Sequence, residues 1–407
     1  MIISDFLKEL EKNNIFISLV DKDLKIQAPK GSISPEIKKN LLEKKEEIIH
    51  FLSKSKKSIN FSIFFFGGEN TVIEQDKYSL LIESAKFADS NNFYGIWTPE
   101  RHFHNLGGIF PNPAIIAGAL SLITKNLKLR AGSVVLPLHD PIRVVEDWSV
   151  VDNLSKGRAE ISVASGWHVN DFVLKSKNYK DRKNIMFEEI KKVRDLWSGI
   201  ALKRENGAGQ EIEVNTHPEP FQKDIPIWIT AIGSPDTYIK AGKLGCNLMT
   251  CLLDQDINEL KEKLDLYKKT LEENGFNTKD KKIAVFLHTY IGKSLEESKK
   301  MVYEPFKNYL RETINLLGKY STNSEIKLNP DELPEEEKEI LLDFAFERYF
   351  EGRSLIGDLE KCEKTVESLI DIGVNEIACL LDFGLTDEYI LDGLKNLSVL
   401  VNKYKSN

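Results

Sequence analysis

Between residues 60 and 382, short apolar runs of strand length alternate with stretches of helical periodicity, and this alternation limits what the chain can fold into. The runs are NFSIFFF (60–66), YGIWT (94–98), LKLRAGSVVLP (127–137), RAEISVAS (158–165), PIWITA (226–231), CNLMTCL (246–252), KIAVFLHTYI (282–291) and EIACLLD (376–382). Strands this uniformly apolar need cover on both faces, which the intervening helices supply. Eight such units predict an α/β fold, a (β/α)8 TIM barrel. An open doubly wound sheet is the alternative, but no GxGxxG follows the first strand. Two segments interrupt the regularity: 203–222 reads as a hairpin insertion, and 304–350 as a long acidic, helical insertion between the seventh and eighth strands.

Residues 1–52 read as a separate α+β domain of helix, β-hairpin and helix. Ser4 is the expected N-cap of the first helix, with Ile3, Phe6, Leu7 and Leu10 on one side. IFISLV and LKIQA flank a turn at Asp21-Lys22-Asp23. The second helix opens with Ser34 as cap, Pro35 at its first position and Glu36 in its first turn, and its stripe runs Ile37, Leu41, Ile48, Leu52. A linker is expected over 53–59, where SKSKKS has no apolar residue, and the barrel over 60–407. A core this small is marginal alone and favours pairing, or packing as a cap on the main domain.

Composition narrows the function. No apolar run approaches the roughly 18 residues of a membrane span, and MIISDFLKELEKNN carries acids where an export signal carries basic residues. The net charge is −7 with lysines scattered among glutamates, which argues against a nucleic-acid surface. Cys246, Cys251, Cys362 and Cys379 have no CxxC spacing, so neither a metal site nor a disulfide framework is expected, and the cytoplasm is the expected compartment.

His102 and His104 follow the second strand, His139 the third and His168 the fourth, while His288 lies late in the seventh. Five of the seven histidines thus fall at the C-terminal rim, where barrel enzymes build their sites. HDPIR places Arg143 at the start of a helix, and GSPDT (233–237) opens another, a combination suited to an anion such as phosphate. Phe64, Phe65, Phe66, Trp97, Phe103 and Trp167 crowd the same rim. An apolar slot with a phosphate clamp suits flavin mononucleotide.

WTPERHF, NPAIIAGALSLIT, LKLRAGSVVLPLHDPIRVVEDWSVVDNLSKGR and SGWHVNDF resemble the bacterial luciferase-like monooxygenases of the branch found with nonribosomal peptide and polyketide synthases. APKGSISPEI and the order of elements in residues 1–52 resemble the tubulysin-synthetase (TubC-like) docking domain. The resemblance implies reduced FMN delivered by a separate flavin reductase, O2 as co-substrate, and a homodimer. It implies docking of residues 1–52 on a carrier protein or synthetase subunit, and a small acyl or aminoacyl substrate tethered there. Carried over, Arg143, Gly233, Ser234 and Thr237 hold the phosphate, although Gly233 stands where luciferases have glutamate. Gly132-Ser133 lies beneath the ring as a bulge that is often a cis peptide, and Trp167 lines the substrate side. Arg101 replaces the histidine to which luciferase catalysis assigns a base role, and an arginine is not a base at neutral pH. Proton transfer then passes to His102 or His168, and Arg101 holds an anion. A deazaflavin (F420) oxidoreductase and a non-catalytic docking scaffold are the competing readings.

Overall fold

The computed structural model describes all of residues 1–407 except 1–2, 14, 21–22, 30, 55–56, 68–75, 105, 254, 319–333 and 406–407. The chain divides into two compact units, Met1–Ser58 and Ile59–Asn407.

In the first unit, α1 (Ile3–Lys12) is followed by an antiparallel hairpin, β1 (Phe16–Val20) and β2 (Asp23–Gln27), and by α2 (Pro35–Glu43) and α3 (Lys45–Lys54). Phe6, Leu7, Leu10, Ile15, Leu41 and Ile48 form its core. Ser34 Oγ accepts from Ile37 N–H at 3.2 Å, closing one orphan donor of α2 as its sequence predicts. Two expectations need correction. Ser4 lies inside α1, because the helix already includes Ile3. The second helix is two, broken at Lys44, whose backbone leaves the helical region (φ −103°, ψ 13°), and both Leu41 and Ile48 reach the one core. Asp21, Lys22, the side chain of Leu52 and linker residues 55–56 lie outside the described residues.

The second unit begins with β3 (Asn60–Phe64), α4 (Ser79–Ser90), β4 (Gly95–Thr98), α5 (Pro113–Ile123), β5 (Lys128–Val135), α6 (Pro141–Ser155), β6 (Ala159–Ala164) and α7 (Arg182–Trp197). A hairpin of β7 (Leu202–Glu205) and β8 (Glu211–Val214) forms the expected first insertion. Then come β9 (Ile227–Thr230), α8 (Pro235–Lys243), β10 (Asn247–Cys251), α9 (Ile257–Glu273), β11 (Ile283–Ile291), α10 (Leu295–Gly318), α11 (Glu335–Gly352), β12 (Leu355–Gly357), α12 (Leu359–Asp371), β13 (Glu376–Leu380) and α13 (Asp387–Tyr404). The parallel sheet runs β10-β9-β6-β5-β4-β3-β13-β11 and closes by pairing β10 with β11, while β12 adds outside on β11. This is the closed (β/α)8 barrel, with each of the eight expected runs occupied by a barrel strand. Helix starts follow local chemistry: Asn112 and Asp140 accept from their first-turn N–H groups, with Pro113 and Pro141 next in line. The four cysteines are buried free thiols, and among the described residues no helix is long and apolar enough to cross a membrane.

The barrel interior holds a charged layer. Arg130 on β5 donates from Nε to Glu160 Oε2 on β6 (2.7 Å) and from Nη1 to Glu376 Oε1 on β13 (2.5 Å). The indoles of Trp97 and Trp228 lie 4.5 and 4.9 Å from its guanidinium carbon. Trp228 Nε1 donates to Glu160 Oε2 (2.8 Å), and Ser62 Oγ donates to Glu376 Oε1 (2.5 Å). Above this layer Phe64 packs against Phe286, ring centroids 5.4 Å apart. The bulge in β5 falls here, between Ala131 and Val134, and contains the cis peptide Gly132-Ser133. Any Cβ on Gly132 would stand 2.7 Å from the Phe64 ring, so the close approach requires glycine.

His288, on β11, is buried in a cage of Phe306 and Tyr309 from α10, Tyr349 from α11, and Phe383. Burial lowers its pKa to about 3. A folded-state value below the ordinary 6.5 means the unfolded chain binds a proton that the native state refuses, so stability is lost as pH falls through 6.5. His288→Phe is therefore expected to gain stability relative to wild type between pH 7.5 and 5. Urea midpoints at the two pH values measure the difference, and the pH-independent packing change cancels.

Candidate functional site

Three loops meet at the C-terminal rim: those after β4, β5 and β6. The first carries Thr-Pro-Glu-Arg-His-Phe-His (98–104), and Glu100 is its hub. Its buried carboxylate receives His102 Nε2 at 2.9 Å and His139 Nε2 at 2.6 Å, both on Oε1, and Val135 N–H at 2.8 Å on Oε2. Burial alone would raise the Glu100 pKa, but these bonds outweigh it and hold the carboxylate below its ordinary range. Burial likewise opposes the His139 imidazolium, and the bond and charge of Glu100 overcome it, keeping His139 above its ordinary value. The acid that joins these two histidines carries one local signal in the sequence, its place directly before Arg101 in the histidine-rich segment.

A second cluster joins the loops after β4 and β6. His104 Nε2 lies 2.9 Å from His168 Nδ1, which also accepts Asn170 N–H at 3.3 Å. Since Nδ1 accepts a backbone N–H, its proton must sit on Nε2, and His104 is the donor between the rings. Burial, with the charges of His104 and Arg101 nearby, lowers the His168 pKa to about 4. His168 is a neutral imidazole at physiological pH. Asp171 Oδ1 is 3.4 Å from His104 Nε2, and burial raises this acid to about 6 against the pull of Arg101. His104, His168 and Asp171 offer ligand atoms within 4.8 Å of one another, the two-histidine, one-carboxylate set that binds divalent metals. The guanidinium of Arg101 nearby disfavours a second cation there.

Arg101 itself is 3% exposed. Its guanidinium carbon lies 4.7 Å from the Phe66 ring and 4.9 Å from the Trp167 ring. Trp167 is half-exposed and packs edge-on against His168. Opposite, beyond β13, Asp382 takes Phe66 N–H (2.7 Å) and Gly67 N–H (2.5 Å), and burial raises it to about 7 against those bonds.

The sequence-predicted flavin residues fall in two places. Ser133 Oγ is 2.6 Å from Thr230 Oγ1 and 3.0 Å from Ser162 Oγ, a hydroxyl cluster beside the Gly132 bulge at the barrel mouth. Thr230 ends β9, and four residues later Ser234 starts α8. There the Ser234 hydroxyl makes no cap bond, Gly233 is open, and Thr237 N–H turns back to Ser234 O. These groups fit a flavin: hydroxyls and an aromatic wall for a ring, an open helix end for its phosphate. Arg143 stands apart from these groups. Its guanidinium, 65% exposed, is held by Glu146 (2.6 Å) and Asp147 (2.8 Å) of its own helix. It lines a cleft against α5 with Asn112, Ala114 and Ile115, and among the described residues no bond connects it to 233–237. Acids three and four residues on compete for it at helical contact distance.

The closed barrel gathers its histidines at the C-terminal rim, the face on which (β/α)8 enzymes build their active sites. The chain is a member of the luciferase-like monooxygenase family, which it matches over residues 59–376, and residues 3–54 match the TubC N-terminal docking domain. Among its relatives is the oxygenase component of flavin-dependent trigonelline monooxygenase from Acinetobacter baylyi, 28% identical over 55% of this chain and 62% of that protein. Another is an alkanal monooxygenase alpha chain from the Kryptophanaron alfredi symbiont, 26% identical over 48% of this chain and 54% of that protein. The chain thus spans less than two thirds of the length of these relatives. By fold it is similar to a monooxygenase from Streptomyces bottropensis (TM-score 0.68, 16% identity, covering 86% of this chain and 100% of that one). It is also similar to an F420-dependent secondary alcohol dehydrogenase (TM-score 0.64, 16% identity, covering 86% and 100%).

Proposed function

We propose that the barrel is a reduced-FMN monooxygenase acting on an acyl or aminoacyl group tethered to a carrier protein, with residues 1–52 docking, as a pair of chains, on a synthetase subunit. The observation that carries the flavin is the run from the Ser133, Ser162 and Thr230 hydroxyls, the last at the end of β9, through residues 231–234 to the uncapped start of α8. The docking match supports a tethered substrate, since a free metabolite needs no such module. The name of the Acinetobacter relative, an oxygenase component, supports a separate reductase.

Bound reduced FMN supplies the two electrons with which O2 puts one oxygen atom into substrate and the other into water. The protein's residues do the rest. Ser133, Ser162, Thr230 and the backbone of 233–237 hold the cofactor, and Phe64 and Phe286 exclude water from it. His102, fixed by Glu100, and His168, with its proton on Nε2, hold and move protons at the rim. Trp167 lines the substrate side. Arg143 joins the phosphate only by leaving Glu146 and Asp147.

Anaerobic titration with reduced FMN, followed by oxygenated buffer, tests the reading. Saturable binding supports it, and absence of binding in either redox state removes it. Ser234→Asp puts a favourable N-cap residue at this start while placing a negative charge against the phosphate, so it is expected to weaken FMN about tenfold or more without loss of folding. The barrel's likeness to an F420-dependent dehydrogenase supports hydride transfer to or from a deazaflavin as the second reading. Parallel titration with F420 separates the two.

A further inference from the structure

Arginine is the most polar side chain a fold can bury, and this protein shows how a structural one is treated. Arg158 makes five hydrogen bonds: Nε to Ser155 O, Nη1 to Thr124 Oγ1 and Leu127 O, and Nη2 to Ser121 O and Thr124 O, all between 2.8 and 3.0 Å. Arg130 is locked between two glutamates. Arg101 is about as buried as Arg130 and more so than the part-buried Arg158, yet among the described residues none of Nε, Nη1 and Nη2 has a hydrogen-bond partner, whereas Arg130 lacks one only at Nη2. A buried donor without an acceptor costs on the order of 1–3 kcal/mol, more for a charged one. Phe66 and Trp167 pack against the guanidinium and supply attraction without accepting its protons in the plane. The charge of Asp171 and the phenol of Tyr309 reach Arg101 but no bond joins either to it, and Asp171 Oδ1, 3.4 Å from His104 Nε2, has no hydrogen-bond partner of its own among the described residues. The position is also built: a Cβ on Gly107 (φ +79°) would stand 2.9 Å from Arg101 Cγ, so the chain turns tightly around the arginine's stem.

We propose that Arg101 is the anion-recognising residue of the substrate pocket, and that the group oxygenated is carried on a molecule bearing a carboxylate, which the guanidinium fork grips in its plane. This rests on the reading of the rim as the substrate site. A carboxylate is planar and offers two acceptors at the spacing of the fork, and a desolvated pair of this kind is strong. Binding supplies the acceptors the fold withholds. Substrates with an amide or alcohol in that place leave the charge unpaired and are rejected.

The full chain, without flavin, is melted in increasing glutarate, glutaramide and inorganic phosphate. Glutarate is expected to raise the melting temperature saturably and to change Trp167 emission, and glutaramide to do neither. Arg101→Met should weaken the glutarate response about tenfold or more while melting no lower than wild type without ligand, since it removes an unpaired buried charge. Arg101→Lys should retain a weaker response. Equal responses to glutarate and glutaramide in the wild type overturn the proposal whether or not the variants fold. So does a glutarate response that survives in Arg101→Met, or an Arg101→Met that melts far lower and so marks a structural strut. If phosphate outcompetes glutarate and Arg101→Met loses reduced FMN in parallel, the anion is the flavin's phosphate, and the substrate assignment falls. Because glutarate is read without cofactor, its result stands apart from whether FMN binds.

Discussion

Arg130→Met is expected to destabilise the barrel by about 3–5 kcal/mol, the cost of leaving a buried charge without its partner. The arginine is 1% exposed and neutralises two glutamates, one on either side of it around the barrel. Burial works against its charge, and Glu160 and Glu376 overcome it, so the guanidinium titrates above its ordinary value. Methionine fills the space between Trp97 and Trp228 but leaves both carboxylates buried and unpaired. Removing all the charges is a different matter, because no ion is then left buried without its counter-charge. The triple variant Arg130→Met, Glu160→Gln, Glu376→Gln should recover much of the loss. Chemical denaturation of the two variants measures it, and a triple variant no more stable than the single one would mean that the loss lies in packing.

That charged layer marks where the sequence stopped being legible. Each of the three charges sits in a largely apolar run that carries one other charge, in LKLRAGS, RAEISVAS and EIACLLD, and nothing local says which of the two points inward. Which one does depends on the closure of the barrel, which sets β13 and β5 on either side of β4 and β3. The strands themselves were legible because burial on both faces demands unbroken apolar runs, and the helix starts because Asn112, Asp140 and Ser34 act locally. At the site the histidine-rich segment was legible as a cluster, but its division was not. Glu100 joins His102 to His139 across two loops, while His104, two residues further, turns to His168 on a third. Adjacent residues serve separate networks, and only the crossing of loops decides which. The acids that hold the Arg143 guanidinium, Glu146 and Asp147, stand three and four residues on in its own helix and are legible in the sequence.

Glu100→Gln is expected to lower turnover about 10²-fold or more, within the range for loss of positioned acid–base groups, while leaving the fold intact. The two oxygens of Glu100 accept from three donors: two imidazoles on Oε1 and Val135 N–H on Oε2. A glutamine keeps the shape but has only one acceptor oxygen. Oriented toward the histidines, it turns its NH2 against Val135 N–H; flipped, it turns NH2 against two ring nitrogens. Neither orientation satisfies all three donors. The charge is lost as well, and the sign of the consequence is fixed. Glu100 raises His139 above its ordinary value while burial lowers it. With the carboxylate gone only the charge of Asp147 is left against burial, so His139 should titrate lower than in the wild type. In the wild type the raised value stabilises the native state below the ordinary histidine range, and that stability is lost as pH rises through the folded-state value; in the variant this contribution shrinks. Histidine resonances followed by NMR across pH 5–8 read the shift directly, and steady-state turnover reads the loss. Unchanged turnover with a shifted His139 would confine Glu100 to holding charge at the rim, whereas loss of both, with His139→Gln retaining most activity, assigns the catalytic share to the bond between Glu100 and His102.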